Sequence, residues 1–190
     1  DGKVYVYSSV CDLPAKANYY FGADGKALQG VVEGKLYVNG QPVKRGLTKI
    51  GEDYYYSESG TVITDRRYYA SISNCDLPEK EYYYFGADGK ALQGVVDGKL
   101  YINGQIAPTG LTKYGEDYYY SESGKVVTGK YYASKTNCEL EAGDYYYFAE
   151  DGKMLDGVVD GYYYYINSSF KAVKSQTYYV SRTNDLLPAG

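Results

Sequence analysis

The chain contains no histidine and no tryptophan, and it has only one methionine and four phenylalanines among its 190 residues. Without histidine it lacks the usual general base, triad partner and metal ligand. Its acidic residues fall mostly in turns that recur along the chain, whereas an enzyme needs one unique constellation of groups. Their spacing also matches neither an EF-hand loop nor the nonapeptide calcium repeat. We therefore predict that the chain is not an enzyme and has no catalytic residue, cofactor or metal site.

The chain also lacks a basic cluster and a long apolar run. Its formal net charge is −4, with charges of both signs interspersed, which argues against nucleic acid and anionic membranes as partners. No stretch approaches transmembrane length, so we expect no membrane insertion. No signal peptide is recognisable, and Asp1-Gly2-Lys3 resembles the middle of a turn. We expect the chain to be a piece of a longer polypeptide. The sequence does not indicate an oligomeric state.

Cysteine is scarce, and the three cysteines Cys11, Cys75 and Cys138 lie 64 and 63 positions apart. An odd count at this spacing matches no metal motif and no disulfide framework. We interpret them as small, partly buried apolar residues, with a redox or metal role as the alternative. They occupy equivalent positions of successive repeats, whereas a disulfide needs Cα atoms within about 7 Å. We therefore expect no disulfide within the chain.

What the chain has in abundance is tyrosine and glycine, at 29 and 23 residues. Tyrosine favours strands because its ring packs on a pleated surface, whereas glycine and Asn-Gly pairs favour tight turns. No segment shows sustained helical periodicity. The composition therefore predicts an all-β chain of short strands and turns, essentially without helix.

A long repeat runs through the sequence. Residues 82–101 read YYYFGADGKALQGVVDGKLY, and residues 18–37, which lie 64 positions earlier, read NYYFGADGKALQGVVEGKLY. A further copy, YYYFAEDGKMLDGVVDGY, spans residues 145–162, 63 positions later. The ten residues from Gly51 to Gly60 return unchanged as Gly115 to Gly124. Repeats of this length indicate a modular architecture.

Each long repeat contains shorter hairpin units that begin just after a glycine or an equivalent turn residue. In Tyr101 to Ile106, Asn103-Gly104 predicts a tight two-residue turn. Residues 133–144 are predicted to form a surface loop that could hold one helical turn. Near the end of the chain, Lys125-Val126-Val127 matches Lys171-Ala172-Val173 only 46 positions later, so about one short unit, 17 residues, is missing. Such clean loss is typical of a solenoid. The predicted units of this single array are 1–30 (partial), 31–46, 47–65, 66–94, 95–110, 111–129, 130–157, 158–175 and 176–190 (partial).

Residues 82–94 and 118–129 show the pattern of an aromatic triplet, a turn, Gly-Lys, apolar residues and a closing glycine. This pattern resembles the cell-wall-binding repeats of Gram-positive surface proteins: choline-binding modules, glucan-binding repeats of glucosyltransferases, and repetitive domains of large clostridial toxins. The resemblance implies an elongated β-solenoid of stacked two-stranded hairpins, with about three hairpins per 63-residue period. In the choline-binding family a tryptophan usually follows the closing glycine. The residues here are Val31, Leu47, Val95, Leu111, Lys130 and Val158. The missing tryptophans argue against a choline cage and favour a looser aromatic platform for sugar rings.

We therefore predict a non-catalytic carbohydrate-binding or cell-wall-binding repeat module of a secreted bacterial surface protein, located outside the cell and partnered by a polysaccharide or cell-wall polymer. The alternatives are a passive structural stalk and a protein-binding adhesin repeat. Side chains alternate between the two faces of a strand, so we choose middle or isolated rings as outward candidates, although register could shift any of them inward. The predicted ligand-binding residues are Tyr37, Tyr55, Tyr83, Tyr101, Tyr119 and Tyr146.

Overall fold

A computed structural model describes residues 2–8, 13–159, 162–164 and 173–174 of the chain. These residues form short strands joined by turns and bends, and no helix occurs among them. The all-β prediction is therefore confirmed. Nowhere in the described ranges is there a helix of the length and apolar character required to cross a membrane.

Twenty-one strands are present in the described residues. The first ten are β1 (Gly2–Val6), β2 (Ala17–Phe21), β3 (Gly30–Val32), β4 (Lys35–Val38), β5 (Gln41–Pro42), β6 (Gly46–Ile50), β7 (Asp53–Glu58), β8 (Thr61–Val62), β9 (Arg66–Ala70) and β10 (Glu81–Phe85). The others are β11 (Gly94–Val96), β12 (Lys99–Ile102), β13 (Gln105–Ile106), β14 (Gly110–Tyr114), β15 (Asp117–Glu122), β16 (Lys125–Val126), β17 (Gly129–Ala133), β18 (Asp144–Phe148), β19 (Gly157–Val159), β20 (Tyr162–Tyr164) and β21 (Val173–Lys174).

The chain divides into two compact units. Unit 1 comprises Asp1–Leu92 and Asn103–Gln105, and unit 2 comprises Gln93–Ile102 and Ile106–Gly190. Unit 1 contains the antiparallel sheets β1-β2, β3-β4-β5, β6-β7-β8 and β9-β10. Unit 2 contains the order β11-β12-β16-β15-β14 and the sheets β17-β18 and β19-β20-β21. The predicted unit 176–190 lies outside the described residues.

Tight turns close the short hairpins. Asn103 and Gly104 have φ angles of 50° and 79°, and two consecutive positive φ values suit the right-handed twist of a hairpin. The predicted Asn-Gly turn is therefore confirmed. Ser59 and Gly60 take the same form at 52° and 82°, although serine rarely adopts a positive φ.

Each unit has its own aromatic core, built from equivalent residues. In unit 1 the core includes Leu47, Tyr56, Tyr83 and Phe85. The equivalent residues in unit 2 are Leu111, Tyr120, Tyr146 and Phe148. Each core is covered in part by a cysteine, Cys75 or Cys138, and both cysteines are free thiols. The interpretation of cysteine as a partly buried apolar residue is confirmed for these two, whereas Cys11 lies outside the described residues.

Backbone hydrogen bonds join consecutive hairpins within each unit. In unit 1 the Ala91 N–H donates to the Tyr54 carbonyl at 2.7 Å, and in unit 2 the Met154 N–H donates to Tyr118 at the same distance. The loop that follows β17 also pairs with the preceding hairpin, because Thr136 forms a parallel bridge with Leu111. This loop consists of bends and holds no helical turn.

Candidate functional site

The six tyrosines predicted to face outward are all buried, with exposed fractions between 0% for Tyr83 and 7% for Tyr55. The expectation that Tyr37, Tyr55, Tyr83, Tyr101, Tyr119 and Tyr146 present their rings to solvent is therefore wrong. Their role in ligand binding stays a prediction, and the exposed rings described below are stronger candidates.

The first reason for this burial is that some strands are covered on both faces. On β7, Tyr54 and Tyr56 contribute to the main core of unit 1, whereas Tyr55 packs on the opposite face with Leu36 and Val62. Tyr119 of β15 similarly packs with Leu100 and Ala107 in unit 2. Alternation along a strand exposes one face only where that face is free of other elements.

The second reason is that the long hairpins turn the middle ring of the triplet inward. The Tyr83 hydroxyl donates to the Pro78 carbonyl at 2.7 Å, and the Tyr146 hydroxyl donates to Glu141 at 2.8 Å. Both acceptors are backbone carbonyl oxygens in the loop of the same hairpin, so each bond satisfies the hydroxyl of a buried tyrosine. Burial also raises the pKa of Tyr83 to about 12.

Exposed tyrosines form one cross-strand pair on the long hairpin of each unit. In unit 1, Tyr69 of β9 lies opposite Tyr82 of β10, with ring centroids 5.1 Å apart and planes inclined at 60°. In unit 2, Tyr132 and Tyr145 repeat this geometry at 5.2 Å and 60°. The four rings are between 43% and 48% exposed. We call these two surfaces the tyrosine pairs.

A basic side chain accompanies each tyrosine pair. The Arg67 guanidinium lies 3.9 Å from the ring centroid of Tyr82, and the Lys130 ammonium lies 4.7 Å from that of Tyr145. The first hairpin of the chain has an incomplete version of this arrangement, because Tyr5 there lies opposite Asn18. Each complete pair therefore combines accessible ring surface with hydrogen-bond donors.

A second polar feature lies beside Glu58 in unit 1, and we call it the Glu58 cluster. The carboxylate accepts hydrogen bonds from the Arg45 guanidinium at 3.1 Å and from the Tyr68 hydroxyl at 3.3 Å. Arg45 also donates to the Ser71 hydroxyl at 3.0 Å, and the Tyr56 hydroxyl lies 3.2 Å from the same atom. The cluster is a closed network of one cation, one anion and three hydroxyls.

In the equivalent group of unit 2, the Glu122 cluster, no described residue supplies the cation. The Tyr131 hydroxyl donates to Glu122, and the hydroxyls of Tyr120 and Ser134 lie 3.1 Å apart. The hydrogen bond to the carboxylate, followed by burial, raises the pKa of Tyr131 to about 12. Thr109 stands where the Glu58 cluster has Arg45.

Other charged groups in the described residues tie the hairpins together. Lys90 pairs with Asp53 at 2.7 Å in unit 1, and Lys153 pairs with Asp117 at 2.8 Å in unit 2. Within the described ranges no three His, Cys, Asp or Glu side chains converge in a way that could hold a metal ion. The chemistry that these residues offer is ring stacking, hydrogen bonding and ion pairing.

Sequence reasoning missed the tyrosine pairs because their members lie 13 positions apart and meet only through hairpin register. The sequence does contain one signal: Arg67 and Lys130 hold the same repeat position, as do Tyr69 and Tyr132. Without the register, however, neither residue could be placed on a face.

Comparison with known proteins supports the resemblance stated from the residues. No family model matches the chain. The chain is similar to Glucosyltransferase-S of Streptococcus mutans serotype c (strain ATCC 700610 / UA159), at 33% identity over 131 residues, which cover 62% of this chain and 8% of the relative. It therefore spans less than a tenth of that protein's length.

Two solved structures are similar at lower identity. CbpJ from Streptococcus pneumoniae TIGR4 shows 24% identity and a TM-score of 0.41, covering 82% of this chain and 56% of its own. Choline binding protein F from Streptococcus pneumoniae, solved in the presence of a peptidoglycan analogue, shows 22% identity and a TM-score of 0.38, covering 93% of this chain and 66% of its own. The predicted resemblance to glucosyltransferase repeats is confirmed by the sequence relative, and choline-binding proteins are among the solved structures to which the chain is similar.

Proposed function

We propose that this chain is a non-catalytic carbohydrate-binding or cell-wall-binding repeat module of a secreted bacterial surface protein, and that the tyrosine pairs are its binding surfaces. The observation on which the proposal rests is the recurrence of two exposed, cross-strand rings with an adjacent cation in both units. Each of these rings remains accessible to a ligand, since 43% to 48% of its surface is exposed.

The chemistry of the tyrosine pair suits a sugar ring. The apolar C–H face of a pyranose can stack on an exposed aromatic face, and the tyrosine hydroxyls and the neighbouring Arg67 or Lys130 can bind its hydroxyl groups. A single shallow surface of this kind binds weakly. Two surfaces on one chain, engaged by one polymer, gain apparent affinity through effective concentration.

The glucosyltransferase relative makes a glucan the first polymer to test. This chain matches only 8% of that protein, so its proposed part is to hold a polysaccharide while chemistry takes place elsewhere. An extracellular location follows from the same proposal, because cell-wall polymers and secreted glucans lie outside the cell.

Affinity electrophoresis in gels containing dextran, and sedimentation with purified peptidoglycan, test the proposal. Tyr82→Ala and Tyr145→Ala should each weaken retention several-fold, and the double variant should lose most of it, because the two pairs act together. Asn18→Tyr should strengthen retention by completing a third pair opposite Tyr5. Val31→Ala and Val95→Ala remove exposed apolar side chains away from the pairs and serve as controls.

The outcome distinguishes the proposal from its alternatives. Retention of the double tyrosine variant at the level of the valine controls would contradict the assignment of the pairs. If neither polymer retains the unaltered chain, the stalk and adhesin hypotheses are favoured over carbohydrate binding.

We propose further that the hairpins continue into an elongated β-solenoid with about three hairpins per 63-residue period. The proposal is supported by backbone hydrogen bonds that join each hairpin to the next within a unit, such as Tyr20 to Gly40 and Val62 to Gly34. Small-angle X-ray scattering tests it, because a compact globule of this length would have a radius of gyration of about 16 Å. A value clearly above this supports the solenoid, and a value equal to it contradicts it.

A further inference from the structure

The Glu58 and Glu122 clusters are two copies of one arrangement of side chains, and we call the surface that each cluster forms its groove. Their backbones match closely: the Asn74 side-chain amide donates to the Arg45 carbonyl at 3.1 Å, and the Asn137 amide donates to the Thr109 carbonyl at 3.2 Å. Residues 45 and 109 therefore hold the same place relative to their surroundings, and only their side chains differ.

The aromatic walls of the two grooves are also alike. The rings of Tyr56 and Tyr68 lie 5.1 Å apart with planes inclined at 39°, and those of Tyr120 and Tyr131 lie 4.8 Å apart at the same inclination. A glutamate and a serine accompany each ring pair. The second groove therefore keeps every group that surrounds the guanidinium in the first.

In unit 1 a side chain of the protein occupies the groove. The Arg45 guanidinium donates through Nε to Glu58 at 3.1 Å and through a terminal nitrogen to Ser71 at 3.0 Å. Two N–H donors directed at a carboxylate and a hydroxyl form a charge-assisted arrangement that a planar guanidinium fits well.

In unit 2 no cation among the described residues pairs with the same acceptors. Glu122 is exposed, whereas Glu58 is partly buried beneath Arg45. Among the described residues no lysine or arginine forms an ion pair with Glu122, including Lys125, which lies opposite it across the hairpin. The Thr109 hydroxyl is engaged elsewhere, because it accepts the Ser123 N–H at 3.1 Å.

We propose that the Glu122 cluster is a binding site for an organic cation that bears N–H donors, a guanidinium or a primary ammonium, and that Arg45 fills the corresponding site in unit 1. The acceptors are a carboxylate and hydroxyls, which bind a cation more strongly when it carries N–H donors. A quaternary ammonium offers none and would keep only its attraction to charge and to the ring faces. On a polysaccharide, the matching group is the free amine of a deacetylated amino sugar.

The test follows the tyrosine ring signals by NMR while methylguanidinium or glucosamine is added, with choline and N-acetylglucosamine for comparison. We expect saturable shifts with the first two probes and at least tenfold weaker binding of the other two. Glu122→Gln preserves the shape of the side chain and should weaken methylguanidinium binding by about tenfold or more, because it removes the charged partner. Equal binding by Glu122→Gln, or equal binding of choline and methylguanidinium, would overturn the proposal.

Exchanging the residues that distinguish the two grooves gives matched variants. Thr109→Arg should lower the number of methylguanidinium sites by one, because the introduced guanidinium occupies the groove. Arg45→Thr should raise the number of methylguanidinium sites by one, because it removes the guanidinium from the Glu58 cluster. Thermal melting by circular dichroism verifies that each variant folds. If Thr109→Arg does not fold, Glu122→Gln still tests the proposal. Unchanged site numbers in folded Thr109→Arg and Arg45→Thr would contradict the assignment of the groove.

These outcomes are separable from those for carbohydrate retention. Tyr82→Ala and Tyr145→Ala should weaken retention on dextran and leave methylguanidinium binding intact. Glu122→Gln should leave retention on dextran, a neutral glucan, unchanged.

Discussion

A shift of one position along a strand decides what a tyrosine does in this molecule. Tyr82 is 48% exposed, whereas its neighbour Tyr83 is 0% exposed and donates its hydroxyl to a carbonyl of its own hairpin. Both belong to the same aromatic triplet, so residue type cannot separate the ring that packs from the ring that could bind. Only the register, which places Tyr82 opposite Tyr69, makes that distinction.

Replacing a packed and an exposed ring should therefore have very different consequences for stability. Tyr119→Ala should lower the free energy of unfolding by about 3–5 kcal/mol, as truncation of a buried aromatic does. Tyr145→Ala should lower it by about 1 kcal/mol or less, the worth of an aromatic pair at the surface. Urea unfolding measures both, with Tyr119→Phe as a control that keeps the ring. Equal losses for the two alanine variants would show that Tyr119 is not a core residue.

At the scale of the hairpin, the sequence predicts the elements well and their faces poorly. Glycine and asparagine identify turns because positive φ angles favour these residues, and Asn103-Gly104 shows such a turn. The ring of Tyr55 is buried because another hairpin covers the outer face of β7. That covering depends on how successive hairpins pack, and the alternation of side chains within one strand does not encode it.

Two equivalent turn glycines should differ in their tolerance of a side chain. Gly60 and Gly124 have φ angles of 82° and 84°, so alanine is strained by about 1–2 kcal/mol at either position. A Cβ on Gly60 would meet nothing within 4 Å, whereas a Cβ on Gly124 would clash with the Ile106 Cγ2. Overpacking adds about 1–3 kcal/mol, so Gly124→Ala should be the more destabilising change.

Urea unfolding of the two glycine variants measures this difference, and the double variant Gly124→Ala with Ile106→Val provides a control. Valine keeps the Cγ2 branch that causes the clash and only shortens the side chain, so the double variant should recover little of the stability that Gly124→Ala loses. Ile106→Ala removes the branch, so the additional loss caused by Gly124→Ala in the Ile106→Ala background should be close to the loss caused by Gly60→Ala alone. Equal destabilisation by the two single glycine variants would contradict the predicted clash.

Across the whole chain, the repeat predicts that the same core is built more than once, and the described residues of the two units bear this out. Leu47, Tyr83 and Phe85 have counterparts in Leu111, Tyr146 and Phe148. The repeat shows which residues differ between the copies, but it could not predict which polar groups those differences affect. Arg45 and Thr109 stand at one repeat position, but their neighbours Glu58 and Glu122 come from the next strand pair. Only the fold reveals that a guanidinium contacts the carboxylate of one cluster, whereas no described cation pairs with the carboxylate of the other.

The abundance of raised tyrosine pKa values leads to a prediction for alkaline solution. Burial raises the pKa of Tyr83 from 10.0 to about 12, and the hydrogen bond to Glu122 together with burial raises that of Tyr131 to about 12. A group whose pKa is raised on folding holds its proton more tightly in the folded state. The stability that it contributes is fully present below its ordinary pKa and is lost as the pH rises through the folded value. Both units should therefore lose stability between about pH 10 and pH 12.

Tyrosinate absorbance and circular dichroism, recorded together as the pH rises, test this expectation. The buried ring of Tyr83, whose pKa burial raises to about 12, should titrate together with the loss of the β-sheet signal. In Glu122→Gln the carboxylate that holds the Tyr131 proton is gone, so that tyrosine should titrate at lower pH while Tyr83 is unaffected. If every tyrosine ionised near pH 10 with the sheet signal intact, the buried rings would have to be accessible to solvent. The two cores described above would then be wrong.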